Sequence, residues 1–62
     1  MTFLDRFALA LGEIREEWGE LTEDDLTEIE GRRDQMIGKV QERYGMAREE
    51  AEKAVDSWAE RH

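Results

Sequence analysis

The side chains that most often attack or ligate are nearly missing from this chain. It has no cysteine, its one serine is Ser57, directly before Trp58, and its one histidine is the terminal His62. Nucleophilic catalysis needs a base within reach of the nucleophile and a third group to orient that base. No such triad can be assembled, and no catalytic residue is assigned. Carboxylates abound, but so small a chain has little interior in which to bury two of them and raise a pKa.

Three other groupings carry chemical potential. Glu23, Asp24 and Asp25, with Glu28, resemble a hard-cation site. Calcium loops, however, need acids at alternate positions around a glycine, and that arrangement is missing. A first helical turn rich in anions accounts for these residues, so no metal and no cofactor is expected. Arg32, Arg33, Lys39, Arg43 and Arg48, with Tyr44 among them, form a basic cluster of the kind that grips phosphates and stacks bases. The competing account is intramolecular, with these bases neutralising the acids of the first two helices. Trp18, Tyr44 and Trp58 could form a stacking platform by residue type, yet each lies on the apolar face of its helix and is assigned to the core.

Charge decides between some of these readings. Seventeen acids against nine bases give a net charge of −8. The whole excess lies in residues 1–31, which hold ten acids and only Arg6 and Arg15, whereas residues 32–62 hold seven of each sign. Such a half repels phosphate backbones and lacks the counterion release that drives nonspecific nucleic-acid binding. It serves solubility, or a basic partner. No apolar run of about 18 residues is present to span a membrane. The acidic first helix lacks the features of a signal peptide. A cytoplasmic protein of one domain, residues 1–62, is expected, stabilised by an efficient helical core because ordering costs roughly 1.5 kcal/mol per residue.

These residues must be positioned by helices. Leu4, Phe7, Leu11, Ile14 and Trp18 alternate spacings of three and four, which predicts one helix over about residues 3–18. Gly19 and Gly45 stand where left-handed helix ends are wanted. Thr22 is an N-cap with Asp25 three residues on, and a short helix follows to Glu30 with Leu26 and Ile29 inward. Met36, Ile37, Val40 and Tyr44 mark a third helix, with Gly38 at a close helix crossing. Ala51, Ala54, Val55 and Trp58 mark a fourth, over about residues 47–61. Leu26, Ile29, Arg33, Met36, Val40 and Tyr44 also fit one unbroken stripe, which would make a three-helix bundle. Gly31, costing about 1 kcal/mol inside a helix, and charged Arg33 in the seam favour a break. The expectation is an all-α fold of four short helices.

Several pieces of the block from Trp18 to Trp58 are family-specific. They are Trp18-Gly19, Leu21-Thr22, Asp24-Asp25-Leu26, Gly31, Arg33-Asp34-Gln35, Gly38, the run Gln41-Glu42-Arg43-Tyr44-Gly45, Glu49-Glu50-Ala51-Glu52-Lys53, Val55 and Trp58. The block resembles the CsbD-like family of small bacterial general-stress proteins. That resemblance implies two roughly orthogonal helical hairpins, similar to sterile-alpha-motif domains, and accumulation under stress, with an undefined biochemical activity. It supplies no catalytic or ligand residues. The implied function is a noncatalytic stress-response protein acting by protein interaction or by abundance. The alternative is a helical nucleic-acid-binding module using Arg32, Arg33, Lys39, Arg43 and Arg48.

Before Trp18 the chain departs from the family, whose first helix is usually lysine-rich, with a tryptophan near the position of Phe7. Ala47 also replaces the usual serine-type cap, at a cost of about 1 kcal/mol. Leu9 lies opposite the apolar stripe on a helical wheel, so one fold cannot bury both sides. Leu4, Leu9 and Leu11 are therefore assigned as a partner surface, for a homodimer or for a helix of an unknown protein. The acidic charge opposes a homodimer, and salt, with a Debye length of about 8 Å at physiological strength, would tighten one.

Overall fold

The computed structural model describes residues 2–61. His62, the one imidazole of the chain, lies outside them. Every regular element among the described residues is an α-helix: α1 (Phe3–Leu9), α2 (Leu11–Glu17), α3 (Glu23–Ile29), α4 (Arg33–Tyr44) and α5 (Arg48–Arg61). The all-α expectation holds. The number of helices does not, because five are present rather than four.

The extra helix comes from a kink in the first stretch. Ala10, with φ −108° and ψ 23°, leaves helical geometry between α1 and α2. The helical bonds from Ala10 N to Arg6 O and from Ile14 N to Ala10 O, both 3.0 Å, persist across it. Residue spacing therefore runs on through the kink, which is why periodicity alone reads one helix. The bend lays α1 over the C-terminal end of α5. There Phe3 meets Trp58 edge-on at 5.8 Å, and Arg6 Nη1 donates to the Ala59 carbonyl at 3.2 Å. A cation at those last carbonyls complements the helix dipole.

Two of the three seven-residue helices, α1 and α3, start with reciprocal caps. Thr2 and Asp5 exchange two bonds of 3.2 Å at the start of α1, and Thr22 and Asp25 exchange two of 3.1 Å at the start of α3. Each pair satisfies two backbone N–H groups that a helix start leaves open.

The break at Gly31 is real, and it excludes the three-helix alternative. Glu30 (φ 47°) and Gly31 (φ 74°) are left-handed in succession, and Arg32 N closes the turn onto Ile29 O at 2.8 Å. Gly31 has a second reason to lack a side chain. A Cβ there would overlap Leu4 Cδ1 and approach Leu4 Cα to 3.0 Å. The close crossing thus lies at Gly31. Gly38, the position expected for it, would place a Cβ in open space. Gly19 is likewise not left-handed, whereas Gly45 is, at φ 64°. The chain after α2 turns instead through Trp18, whose carbonyl accepts from Leu21 N at 3.0 Å.

One core joins the helices. Ile14, Ile29, Met36, Ile37, Val40, Val55 and Trp58 are wholly inaccessible, and each such burial contributes about 1.5–3 kcal/mol. Trp58 stands between Phe3 and Trp18, the latter edge-on at 6.1 Å. The tryptophans are core, as their helix faces predicted. Leu4 departs from the inward stripe and remains 55% exposed, resting over Gly31. Among the described residues no helix is long and apolar enough to cross a membrane.

Candidate functional site

The most connected polar group is Asp25, only 2% exposed. Its place in the first turn of α3, one residue before buried Leu26, turns its carboxylate toward α4. Arg43 grips both oxygens, Nε to Oδ2 at 2.9 Å and Nη2 to Oδ1 at 3.0 Å. Lys39 Nζ lies 3.5 Å from Oδ1 and also pairs with Glu28. Thr22 N donates to Oδ2 as part of the cap. A buried carboxylate is tolerable only with such partners, and a bidentate guanidinium is the strongest of them. The Arg43 bonds, then the Thr22 N–H, then the nearby charges of Arg43 and Lys39, hold Asp25 well below the usual carboxylate range against the opposing effect of burial. The same bonds raise Arg43 and, through Glu28 first, Lys39. Asp25 is therefore a fixed anion joining α3 to α4, and no proton donor near neutrality.

The basic cluster expected from the sequence is present, but its members do not share one face. Lys39 and Arg43 turn to the acids of α3. Arg33 instead grips Asp56 of α5 at 2.8 and 2.9 Å, which lowers Asp56 and raises Arg33. Arg48 bonds Glu52 at 3.0 Å, within its own helix, and lies 3.9 Å from Asp34. Arg32 reaches Glu30 at 3.8 Å. The intramolecular partners are thus drawn from both halves of the chain, not only from the first two helices. Tyr44 does not interleave with these bases. Its ring packs on the core and its hydroxyl accepts from Glu20 N at 3.1 Å, pinning the turn after α2.

The acidic run is dispersed as well. Asp25 points inward, Glu28 meets Lys39, and Glu23 meets Arg15 at 3.0 Å. Among the described residues no group of three or more metal-ligating side chains converges. Ser57 is exposed on α5.

The three leucines assigned as a partner surface fall on two sides. Leu9 projects from α1 at 77% exposure. Leu4 over Gly31, and half-buried Leu11, lie on the side facing α3. Leu11 lines an open groove of about 240 Å³ with Phe7, Leu26, Thr27 and the Arg15–Glu23 pair. Small-molecule sites usually occupy about 300–1,000 Å³, and this groove is smaller. The groove joins residues from α1, α2 and α3, and residue spacing within one helix does not disclose it.

The family comparison runs from the kink into α5. A family model described as CsbD-like matches residues 10–53, beginning at the kink and leaving α1 outside. The UPF0337 protein YjbJ of Escherichia coli O6:H1 is similar at 61% identity over 51 residues, covering 82% of this chain and 74% of the relative. The UPF0337 protein ECA0631 of Pectobacterium atrosepticum is 57% identical over the same shares of each chain. The UPF0337 protein pc0632 of Protochlamydia amoebophila is 49% identical, covering 82% of this chain and 77% of the relative.

Proposed function

The chain belongs to the CsbD-like family, commonly stress-associated and of uncharacterised function, and from that premise we propose that it is a noncatalytic cytoplasmic stress protein that works by binding a protein partner. The observation that carries this reading is the placement of apolar surface. Leu9 and Leu4 stand in water on a helix outside the family match, while the cations named above each have a carboxylate beside them within the chain. A scattered exposed leucine needs no explanation. Two on a seven-residue helix that already commits Phe7 and Phe3 inward leave α1 with apolar side chains beyond those its own core takes up.

The experiment is photo-crosslinking in stressed bacterial cells, with the crosslinking residue placed at Leu9 and, as a control, at Glu60. Discrete protein adducts from position 9 and none from position 60 are expected. An absence of adducts at position 9 under stress, with the protein present at normal level, overturns the binding reading in favour of action by abundance.

A further inference from the structure

The hydrogen bonds across the kink at Ala10 are compatible with two arrangements of the first two helices. Ala10 sits at φ −108° and ψ 23°, against about −63° and −42° in a regular helix. The bonds from Ala10 N to Arg6 O and from Ile14 N to Ala10 O are nevertheless made. Straightening α1 and α2 into one helix therefore breaks no backbone bond at the hinge, and alanine favours helical angles more than any other residue. Tertiary contact opposes it. The kink carries Phe3 onto Trp58, Arg6 onto the Ala59 carbonyl and Leu4 against Gly31. That docking leaves costs of its own. Arg6 Nε is buried with no hydrogen-bond partner among the described residues, so a cationic donor gives up water without replacement. Leu4 and Leu9 stay in water. By contrast, α2 is anchored by wholly buried Ile14 and by Trp18 at its end.

We propose that α1 is a hinged strap, which swings off α5 by straightening onto α2 at Ala10 and so uncovers the Phe3 side of Trp58. The opened form carries Leu4, Phe7, Leu11 and Ile14 along one stripe of a single helix, with Ile14 still held in the core. Docked and open forms share their backbone bonds and differ in tertiary contact and in the angles of one residue. Such an element has two discrete states, whose populations any contact made by only one of them will shift. Opening of this kind is distinct from fraying, in which α1 would lose its helical bonds. The inference goes beyond the binding reading and does not depend on it, since it concerns the motion of α1 and not what touches Leu9.

The test is chemical-exchange saturation transfer on the whole chain labelled with carbon-13 and nitrogen-15, which reads the shifts of a minor state directly. One exchange process shared by Phe3, Arg6, Ala10 and the Trp58 indole N–H is expected. In the minor state the Ala10 Cα shift should move to helical values while residues 4–9 keep theirs. Phe3→Ala, which removes the edge-on contact with Trp58, should raise the open population about tenfold. Leu9→Ala, at an exposed position, should leave it unchanged. Four results overturn the inference: coil shifts across residues 3–9 in the minor state, exchange in α1 that Trp58 does not share, an equal rise with Leu9→Ala, or no exchange in either the natural chain or a folded Phe3→Ala. Should Phe3→Ala fail to fold, the exchange of the natural chain decides alone. Crosslinks at Leu9 neither require the opening nor follow from it, so failure of the strap leaves the binding reading standing.

Discussion

Replacing Gly31 by alanine tests whether α1 docks where the structure places it. Two costs are expected. A residue with a Cβ held left-handed costs about 1–2 kcal/mol, and φ at Gly31 is 74°. The new methyl also meets Leu4. The overlap with Leu4 Cδ1 can be relieved, because Leu4 is half in water and its side chain can rotate. The approach to the Leu4 backbone, 3.0 Å from its Cα, can be relieved only if α1 shifts. Overpacking of this kind costs about 1–3 kcal/mol, which brings the total to roughly 2–5 kcal/mol. Gly45 supplies the control, being left-handed at φ 64° with nothing near its missing Cβ, so Gly45→Ala should lose only about 1–2 kcal/mol. Any gain from a stiffer unfolded chain is common to both variants and cancels in the comparison. In a domain of this size each kcal/mol moves the melting temperature by about 4–8 °C. Urea and thermal unfolding of both variants, and of Leu4→Ala with Gly31→Ala, would measure the difference. Adding Leu4→Ala should restore part of the loss and not all, since the crowding against the backbone of residue 4 survives it. Equal losses at Gly31 and Gly45, or no coupling between positions 4 and 31, would refute the docking of α1.

Two of the remaining glycines should behave in the opposite way: Gly12→Ala and Gly38→Ala, in helices with open space at the missing Cβ, should each stabilise by about 0.5–1 kcal/mol, read from urea midpoints. Stability should be level near neutrality and fall in acid, because Asp25 and Asp56 are held below the ordinary value of 3.8. Below that value the unfolded chain takes up protons that the folded chain refuses, and the stabilisation is lost as pH falls toward the folded values. Unfolding curves from neutral pH downward should show this decline, and Asp25→Asn should flatten it as well as lower stability near neutrality. With Arg32, Arg33, Lys39, Arg43 and Arg48 each beside a carboxylate of the chain, titration with duplex and single-stranded DNA should show no submicromolar, steeply salt-dependent binding. Such binding would favour the nucleic-acid module instead.

How much of the molecule is legible in its sequence depends on how far apart the interacting residues lie. Thr22 and Asp25 are three residues apart, and their cap is legible as a pattern. Thr2 and Asp5 repeat that pattern, a signal that the apolar stripe of the first helix does not contain. The break at Gly31 follows from a glycine and an arginine in an apolar seam. The kink at Ala10 does not, because its hydrogen-bond register is continuous and only backbone angles change. Asp25 to Arg43 spans eighteen residues, and charge counts cannot say which of the ten acids in that half an arginine will choose. A local clue exists: Lys39 and Arg43 are four apart on one helix face, and Asp25 is four before the inward Ile29. Tyr44 to Glu20, and the groove between α1, α2 and α3, depend on packing across elements and leave no local trace.

The clasp between the two ends of the chain has a kinetic meaning. Arg6 to Ala59 closes fifty-three residues and Arg61 to Glu17 closes forty-four, and Trp58 meets both Phe3 and Trp18 across similar spans. The contacts of α3 with α4 and of α4 with α5 lie between consecutive helices. Closing long loops carries more entropy than closing short ones, and it must be met before the contacts reward it. The α3–α4–α5 portion can therefore assemble while the amino-terminal helices are still free, and the aromatic clasp is expected to close late in folding. What closes late is not yet formed at the barrier, so weakening it speeds unfolding more than it slows folding. Substitutions at Phe3 and Trp18 should therefore shorten the lifetime of the native state more than they slow its formation, read from folding and unfolding rates in urea.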